Sequence, residues 1–216
     1  MEVLETLNKG GAIVYILLFA SVLSLTVFIE RFWATSRRMV CPPALRASLF
    51  SLLAAGRLDA AQAVAASSHT PAATLAAQAL SHRSRGRTLL RERLESEGAS
   101  ALHRLRRGLG VLAATATVSP LLGLLGTVLG MVQVFQAVER STEPQISDLA
   151  GGIWVALLTT VAGLAVAIPA YIAHRYLESR LEAATETLES FSEDLLDSLT
   201  GTRDTDGRGL DEVPAE

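Results

Sequence analysis

The sequence predicts an all-α integral membrane protein with three membrane-crossing helices, and three observations carry that reading. Half of the 216 residues are hydrophobic and the mean hydropathy is +0.35, too apolar for an ordinary soluble domain of this size. The apolar residues fall in blocks, 11–29, 109–138 and 149–173, and none of the three contains Asp, Glu, Lys, Arg or His. The last two blocks exceed the roughly 20 residues that span a bilayer as a helix. Alanine and leucine dominate while aromatics make up only 5%, so the polar stretches between the blocks are expected to be helical as well.

Taken in order, residues 1–10 are a short polar lead and 11–33 the first transmembrane helix, closed by Glu30, Arg31 and the interfacial pair Phe32 and Trp33. A cleaved signal peptide would start basic and end at small residues. Here Glu2 and Glu5 come first and the basic residues follow, which reads as a retained signal-anchor. Residues 34–108 form a large helical loop, broken at Pro42 and Pro43, at Gly56 and across residues 67–71. Leu45, Leu49 and either Leu52 or Leu53 would make the apolar face of its first helix. From about Thr88, Leu90, Leu94, Leu102, Leu105, Leu109 and Leu112 recur at helical spacing, so a charged helix is expected to run without interruption into the second transmembrane helix, 109–138. So helical and aromatic-poor a loop is expected to extend the membrane bundle and pack against copies of itself, without a large core of its own. A turn, 139–148, leads to the third transmembrane helix, 149–175. Leu177, Leu181, Leu188, Phe191, Leu195 and Leu199 then continue an amphipathic helix over 176–200. The polar tail 201–216 is expected to be disordered.

Charge orients the chain. The net charge is only −3, but arginine clusters follow the first span (Arg31, Arg37, Arg38), precede the second (Arg83 to Arg107) and follow the third (Arg175, Arg180). The amino-terminal lead offers only Lys9 and the hairpin turn only Arg140. By the positive-inside rule the amino terminus and the turn lie outside, the large loop and carboxyl terminus inside. Glu92, Glu95 and Glu97 are interleaved with the loop arginines and no aromatics accompany them, which argues against nucleic-acid binding. His69, His82 and His103 match no metal spacing, Cys41 has no partner for a disulfide, and no nucleophile–base pair is apparent. The run Gly123-Leu-Leu-Gly-Thr-Val-Leu-Gly lacks the lysine of a phosphate loop. The sequence therefore reads as a protein that is not an enzyme and holds neither metal nor cofactor.

Small residues mark the hairpin. Gly123, Thr127, Gly130 and Val134 recur at spacings that share one face of the second span. Gly152, Ala156, Thr160, Gly163 and Ala167 do so on the third. Each stripe carries one central threonine. Such stripes let backbones approach closely in lipid; they suit either plain packing faces or the wall of a narrow polar pathway. Pro120 and Pro169 lie within these spans and are expected to bend them.

Residues 118–131, VSPLLGLLGTVLGM, and 152–170, GIWVALLTTVAGLAVAIPA, resemble the ExbB/TolQ/MotA family of proton-channel motor subunits. The order of three helices with a large loop after the first resembles the ExbB and TolQ branch; MotA-like stators carry an extra helix. The resemblance implies a ring of copies, by analogy a homopentamer, in the inner membrane of bacteria around two copies of a single-span partner like ExbD or TolR. Proton flow would drive that assembly and pass work to a periplasmic protein such as TonB and its outer-membrane transporters. It further implies that Thr127 and Thr160 line the ion pathway, with Thr159 and Gly163 beside it.

Many relatives carry a glutamate where this chain has Val155. None of the three apolar blocks then holds a carboxylate, and threonine hydroxyls order hydrogen bonds but do not titrate near neutral pH. A proton relay needs a titrating group in the membrane, so the acid, an aspartate in this family, is expected from the partner helix. Two other readings remain open at this point: a TolQ-like envelope-constriction or gliding motor with the same core, and a passive membrane scaffold.

Overall fold

The computed structural model describes residues 11–140 and 146–206, all of them helix, short helical turn or connecting loop. The helices are α1 Gly11–Ala34, α2 Arg37–Val40, α3 Pro43–Ala54, α4 Leu58–Ala66, α5 Pro71–Ser81, α6 Arg87–Arg106, α7 Leu109–Arg140 and α8 Ile146–Asp206, with a single 3-10 turn, Arg83–Arg85, before α6. Three helical stretches, Gly11–Ala34, Leu109–Arg140 and Leu149–Gly201, are long and apolar enough to cross a membrane. Residues 1–10, the centre of the hairpin turn and the tail beyond Asp206 lie outside the described residues, and so do the readings made of them. Two compact units divide the chain: residues 1–31 with 108–178, and residues 32–107 with 179–216.

In the first unit α1, α7 and the first half of α8 each leave much of their apolar surface exposed. Phe19 is 70% exposed, Leu121 60%, Phe135 64% and Val161 62%. On a soluble protein such belts would be a liability; in a bilayer they meet chains as apolar as themselves. α1 buries Val14, Leu17 and Ser24; α7 buries Leu109 and Leu112 at its start and, beyond them, mostly small or hydroxylated residues, Thr115, Ser119, Gly123, Gly126 and Val134.

The expected unbroken helix from the loop into the second span is not formed. The chain breaks at Arg107 and Gly108, where Gly108 adopts φ +91°, a left-handed conformation that glycine alone takes at little cost. A Cβ there would also stand 3.1 Å from Val27 Cγ1 and 3.4 Å from Arg31 Nε, so the missing side chain seats the start of α7 against the end of α1. At the other end the helix outlasts its expected limit. Gly201 keeps helical geometry and α8 continues to Asp206, because one glycine costs a helix only about 1 kcal/mol. Residues 201–206 are therefore helical, a correction to the disordered tail expected from composition.

The second unit also departs from expectation, for it has its own core. Leu45, Leu49 and Leu53 of α3, Ala61 and Ala65 of α4, and Ala72, Leu75, Ala76, Ala79 and Leu80 of α5 are buried. So are Leu90 and Leu94 of α6 and Leu181, Leu188, Phe191 and Leu195 of α8. Alanine supplies little area per residue but lets helices approach closely, and the second half of α8 adds Phe191 and further leucines to those of the loop. Phe191 meets Phe50 edge-on at 5.8 Å between centroids. Thr70 caps α5, accepting from the Ala73 amide at 3.3 Å, and Pro71 occupies the first turn. Arg46 pairs with Asp194, and Arg87 with Asp197 at 2.8 Å; both pairs are exposed and worth at most about 1 kcal/mol each.

Cys41 lies in this unit, 8% exposed, and burial pushes its thiol above the ordinary value despite the opposing charge of Arg46. Alkylation needs the thiolate. At pH 8 Cys41 in the folded protein is expected to react more slowly than the same thiol after unfolding, and to accelerate as pH rises through its raised pKa. Timed modification read by intact mass checks this; equal rates in both states would refute it.

Candidate functional site

Within the first unit α8 buries Ala156, Thr159, Gly163, Ala167, Ala170 and Leu177; within the second it buries Leu181, Ala184, Leu188 and Phe191. The composition of this buried set changes at Leu177 from small to mostly large residues. In lipid there is no hydrophobic gain from burying leucine, so close backbone approach and interhelical hydrogen bonds hold helices together; in water, buried apolar area does.

The residues of the first unit's part of α8 pack on α7, and at Gly123 and Gly163 the contacts are between backbones. A Cβ at Gly123 would lie 2.8 Å from the Thr159 carbonyl oxygen and 3.0 Å from Thr160 Cα. One at Gly163 would lie 2.6 Å from the Ser119 carbonyl oxygen, and one at Gly130 2.9 Å from the Ala156 Cβ. At Gly152 the neighbour is instead a side chain, that of Val134. The structure thus brings Gly123, Gly130, Gly152, Ala156 and Gly163 together in one seam within a single chain, with Ala167 also buried on the same stripe. Pro120 and Pro169 both lie inside continuous helix.

The central threonines are placed differently from the spacing-based stripes. Gly126, not Thr127, occupies the seam on α7, where a Cβ would meet the Thr159 hydroxyl and Cβ. Thr159, not Thr160, is the buried threonine of α8, 3% exposed. Thr127 and Thr160 sit roughly 100° round their helices from these positions, at the edge of the seam and half-buried. Thr127 Oγ1 donates to the Leu124 carbonyl of its own helix at 2.7 Å. The α8 pair instead reaches across: Thr159 Oγ1 lies 3.1 Å and Thr160 Oγ1 3.2 Å from the Gly123 carbonyl oxygen, and Thr159 Oγ1 is also 2.6 Å from the Ala156 carbonyl. An interhelical hydrogen bond in a membrane is worth about 0.6 kcal/mol on average, so these bonds orient groups more than they hold the fold.

Ser119, which sequence reasoning passed over, lies on the same seam. Its side chain is 1% exposed and, among the described residues, its hydroxyl has no hydrogen-bond partner. A buried unpaired hydroxyl costs about 1–3 kcal/mol. Ser119→Ala is therefore expected to raise the thermal midpoint of the solubilised protein; a lower midpoint would show that the hydroxyl has a partner in the assembly. The signal was the spacing of four between Thr115, Ser119 and Gly123, on the face that Gly126 and Gly130 continue.

These features define a multi-pass helical membrane protein with a tight hydroxyl-bearing hairpin and no charged side chain in its apolar blocks 11–29, 109–138 and 149–173. The chain belongs to the MotA/TolQ/ExbB proton channel family, which matches residues 67–190, more than half its length. This is a transport family, with ExbB the branch most represented among the similar proteins. A Methanothermobacter thermautotrophicus protein named as an ExbB homolog is 29% identical over 189 residues, 87% of this chain and 67% of its own. A Synechocystis protein named ExbB-like 3 is 33% identical over 161 residues, 74% and 77% of the two chains. The biopolymer transport protein ExbB of Neisseria gonorrhoeae is 34% identical over 107 residues, 50% of this chain and 49% of its own.

Proposed function

We propose that this chain is an ExbB-like channel subunit that forms a ring, with five copies expected, around single-span partner helices and couples proton flow to work outside the membrane. The observation that carries the reading is the pairing of three hydroxyls, Thr127, Thr159 and Thr160, with apolar blocks, 11–29, 109–138 and 149–173, that contain no titratable carboxylate. Such a wall can order hydrogen bonds but cannot take up a proton. The partner, ExbD- or TolR-like, supplies the acid, an aspartate within its own span. Each proton crossing ~100 mV releases about 2.3 kcal/mol, so a few protons suffice for a conformational step of several kcal/mol.

The arginines at Arg31, Arg104, Arg106, Arg107, Arg175 and Arg180 support a periplasmic amino terminus, a cytoplasmic loop and carboxyl terminus, and residence in the bacterial inner membrane. The client favoured by the ExbB-named relatives is a TonB-like periplasmic protein serving outer-membrane transport; a TolQ-like or gliding client would use the same hairpin. The passive-scaffold reading draws on the seam itself, whose glycines pack on one another within one chain.

Co-reconstitution separates these readings. Vesicles holding this chain together with its partner are expected to pass protons under an imposed potential, and vesicles holding either alone are not. Steady flux through this chain alone would overturn the borrowed-acid mechanism, and no flux from the assembled pair would leave the scaffold. Co-purification of the neighbouring single-span protein and the intact mass of the complex would give the client and the subunit count.

A further inference from the structure

We propose that Thr159 is a positioning residue that determines whether the Thr160 hydroxyl is committed to its own chain or free to serve the partner's acid. The inference rests on the function proposed above and deepens it.

Thr159 has one hydroxyl proton and two carbonyls within reach, Ala156 at 2.6 Å on its own helix and Gly123 at 3.1 Å across the seam. Thr160 has the same Gly123 oxygen at 3.2 Å. That carbonyl has two lone pairs, and the helical ladder of α7 directs the Thr127 amide at one of them. One acceptor position therefore faces two donors. While Thr159 donates to Ala156, Thr160 donates to Gly123, and its oxygen offers lone pairs to a protonated carboxyl. When Thr159 turns to Gly123, the Thr160 proton is released and can be donated to a carboxylate. No covalent bond forms or breaks and neither hydroxyl loses its proton; two side-chain rotors exchange one acceptor. The burial of Thr159, 3% exposed, keeps water from competing for that acceptor, whereas half-buried Thr160 can still meet a group from outside the chain.

The arrangement makes Thr160 an acceptor toward one protonation state of the acid and a donor toward the other. A single threonine bonded permanently to its own helix could serve only one of them. Glycine at position 126 is what admits the arrangement, since a Cβ there would stand 2.6 Å from the Thr159 Cβ and closer still to its hydroxyl.

The test compares two substitutions in the full complex with its partner. Thr159→Val keeps the branched shape and removes the proton, whereas Thr159→Ser keeps the proton and removes the methyl group. Val is expected to lower potential-driven proton flux by roughly three- to tenfold, the rate equivalent of one ordinary hydrogen bond, and Ser to stay within about twofold of the parent on the same scale. A packing role predicts the reverse order, and that result would overturn the proposal. A second readout is the 13C carbonyl resonance of Gly123, selected as one of the Gly–Leu pairs by labelling glycine carbonyls with 13C and leucine amides with 15N. It is expected to move in the Val variant and hold in Ser; an unmoved resonance in Val overturns the shared acceptor. If Thr160→Ala abolishes flux while Thr159→Val does not, this inference alone falls. If Thr160→Ala leaves flux intact, the pathway role proposed above falls first and this inference with it.

Discussion

Alanine at Gly163 is expected to force the hairpin seam open. Its Cβ would stand 2.6 Å from the Ser119 carbonyl oxygen, 3.1 Å from Gly123 Cα and 3.2 Å from Gly123 N. All three are backbone atoms, so no side-chain rotation can relieve the contact, and the helices must separate along their length. Overpacking of a close contact costs about 1–3 kcal/mol, and separation also lengthens the bonds from Thr159 and Thr160 to Gly123. The expected result is a marked fall in the thermal midpoint and in the yield of assembled complex, with loss of flux in what remains. Gly151→Ala is the control, because a Cβ there meets nothing within 4 Å and alanine is the better helix former. If Gly163→Ala assembled and behaved like Gly151→Ala, the close approach of α7 and α8 would not exist in the membrane.

The second large effect is expected from Thr127→Val combined with Thr160→Ala. Thr127 bonds only within its own helix and Thr160 contributes one bond across the seam, so the pair costs the fold little, about 0.6 kcal/mol for the interhelical bond. Assembly and thermal midpoint should stay close to those of the parent while potential-driven flux disappears. That separation of stability from activity is the signature of a pathway residue, in contrast to Gly163. Undiminished flux in the double variant would remove both threonines from the pathway.

The sites differed in how far the sequence exposed them. Gly123, Gly130, Gly152, Ala156 and Gly163 were legible as a packing stripe, and the structure places all five in the α7/α8 seam. The threonine of the stripe was not. Residues three and four apart share a helix face equally well, so the series Ala156, Thr160, Gly163 and the series Ala156, Thr159, Gly163 fit the helical period alike. The packing of α7 selects the second, and Gly126 replaces Thr127 for the same reason. Ser119 was missed because its spacing of four from Thr115 and Gly123 lies on the face that Gly126, and not Thr127, continues.

The loop shows the converse. Leu45, Leu49 and Leu53 could be read as one face, with Leu52 the competing choice, and the break at Gly56 lies where expected, with φ +71°. The core they help to build could not be read there, because Leu181, Leu188, Phe191 and Leu195, which complete it, come from a helix about a hundred residues later in the sequence. The continuity expected across Arg107 and Gly108 failed because the leucine spacing persists through a backbone break that only glycine permits.

The sequence by itself determined the class, the spans and the absence of an intramembrane acid, because a bilayer demands long uncharged helices and penalises every exception in plain view. Tertiary structure alone decided which hydroxyl is buried, which carbonyl two threonines share and where the loop finds its core. Those outcomes depend on the rotation of one helix against another, and a repeat of 3.6 residues per turn leaves that angle open by one position.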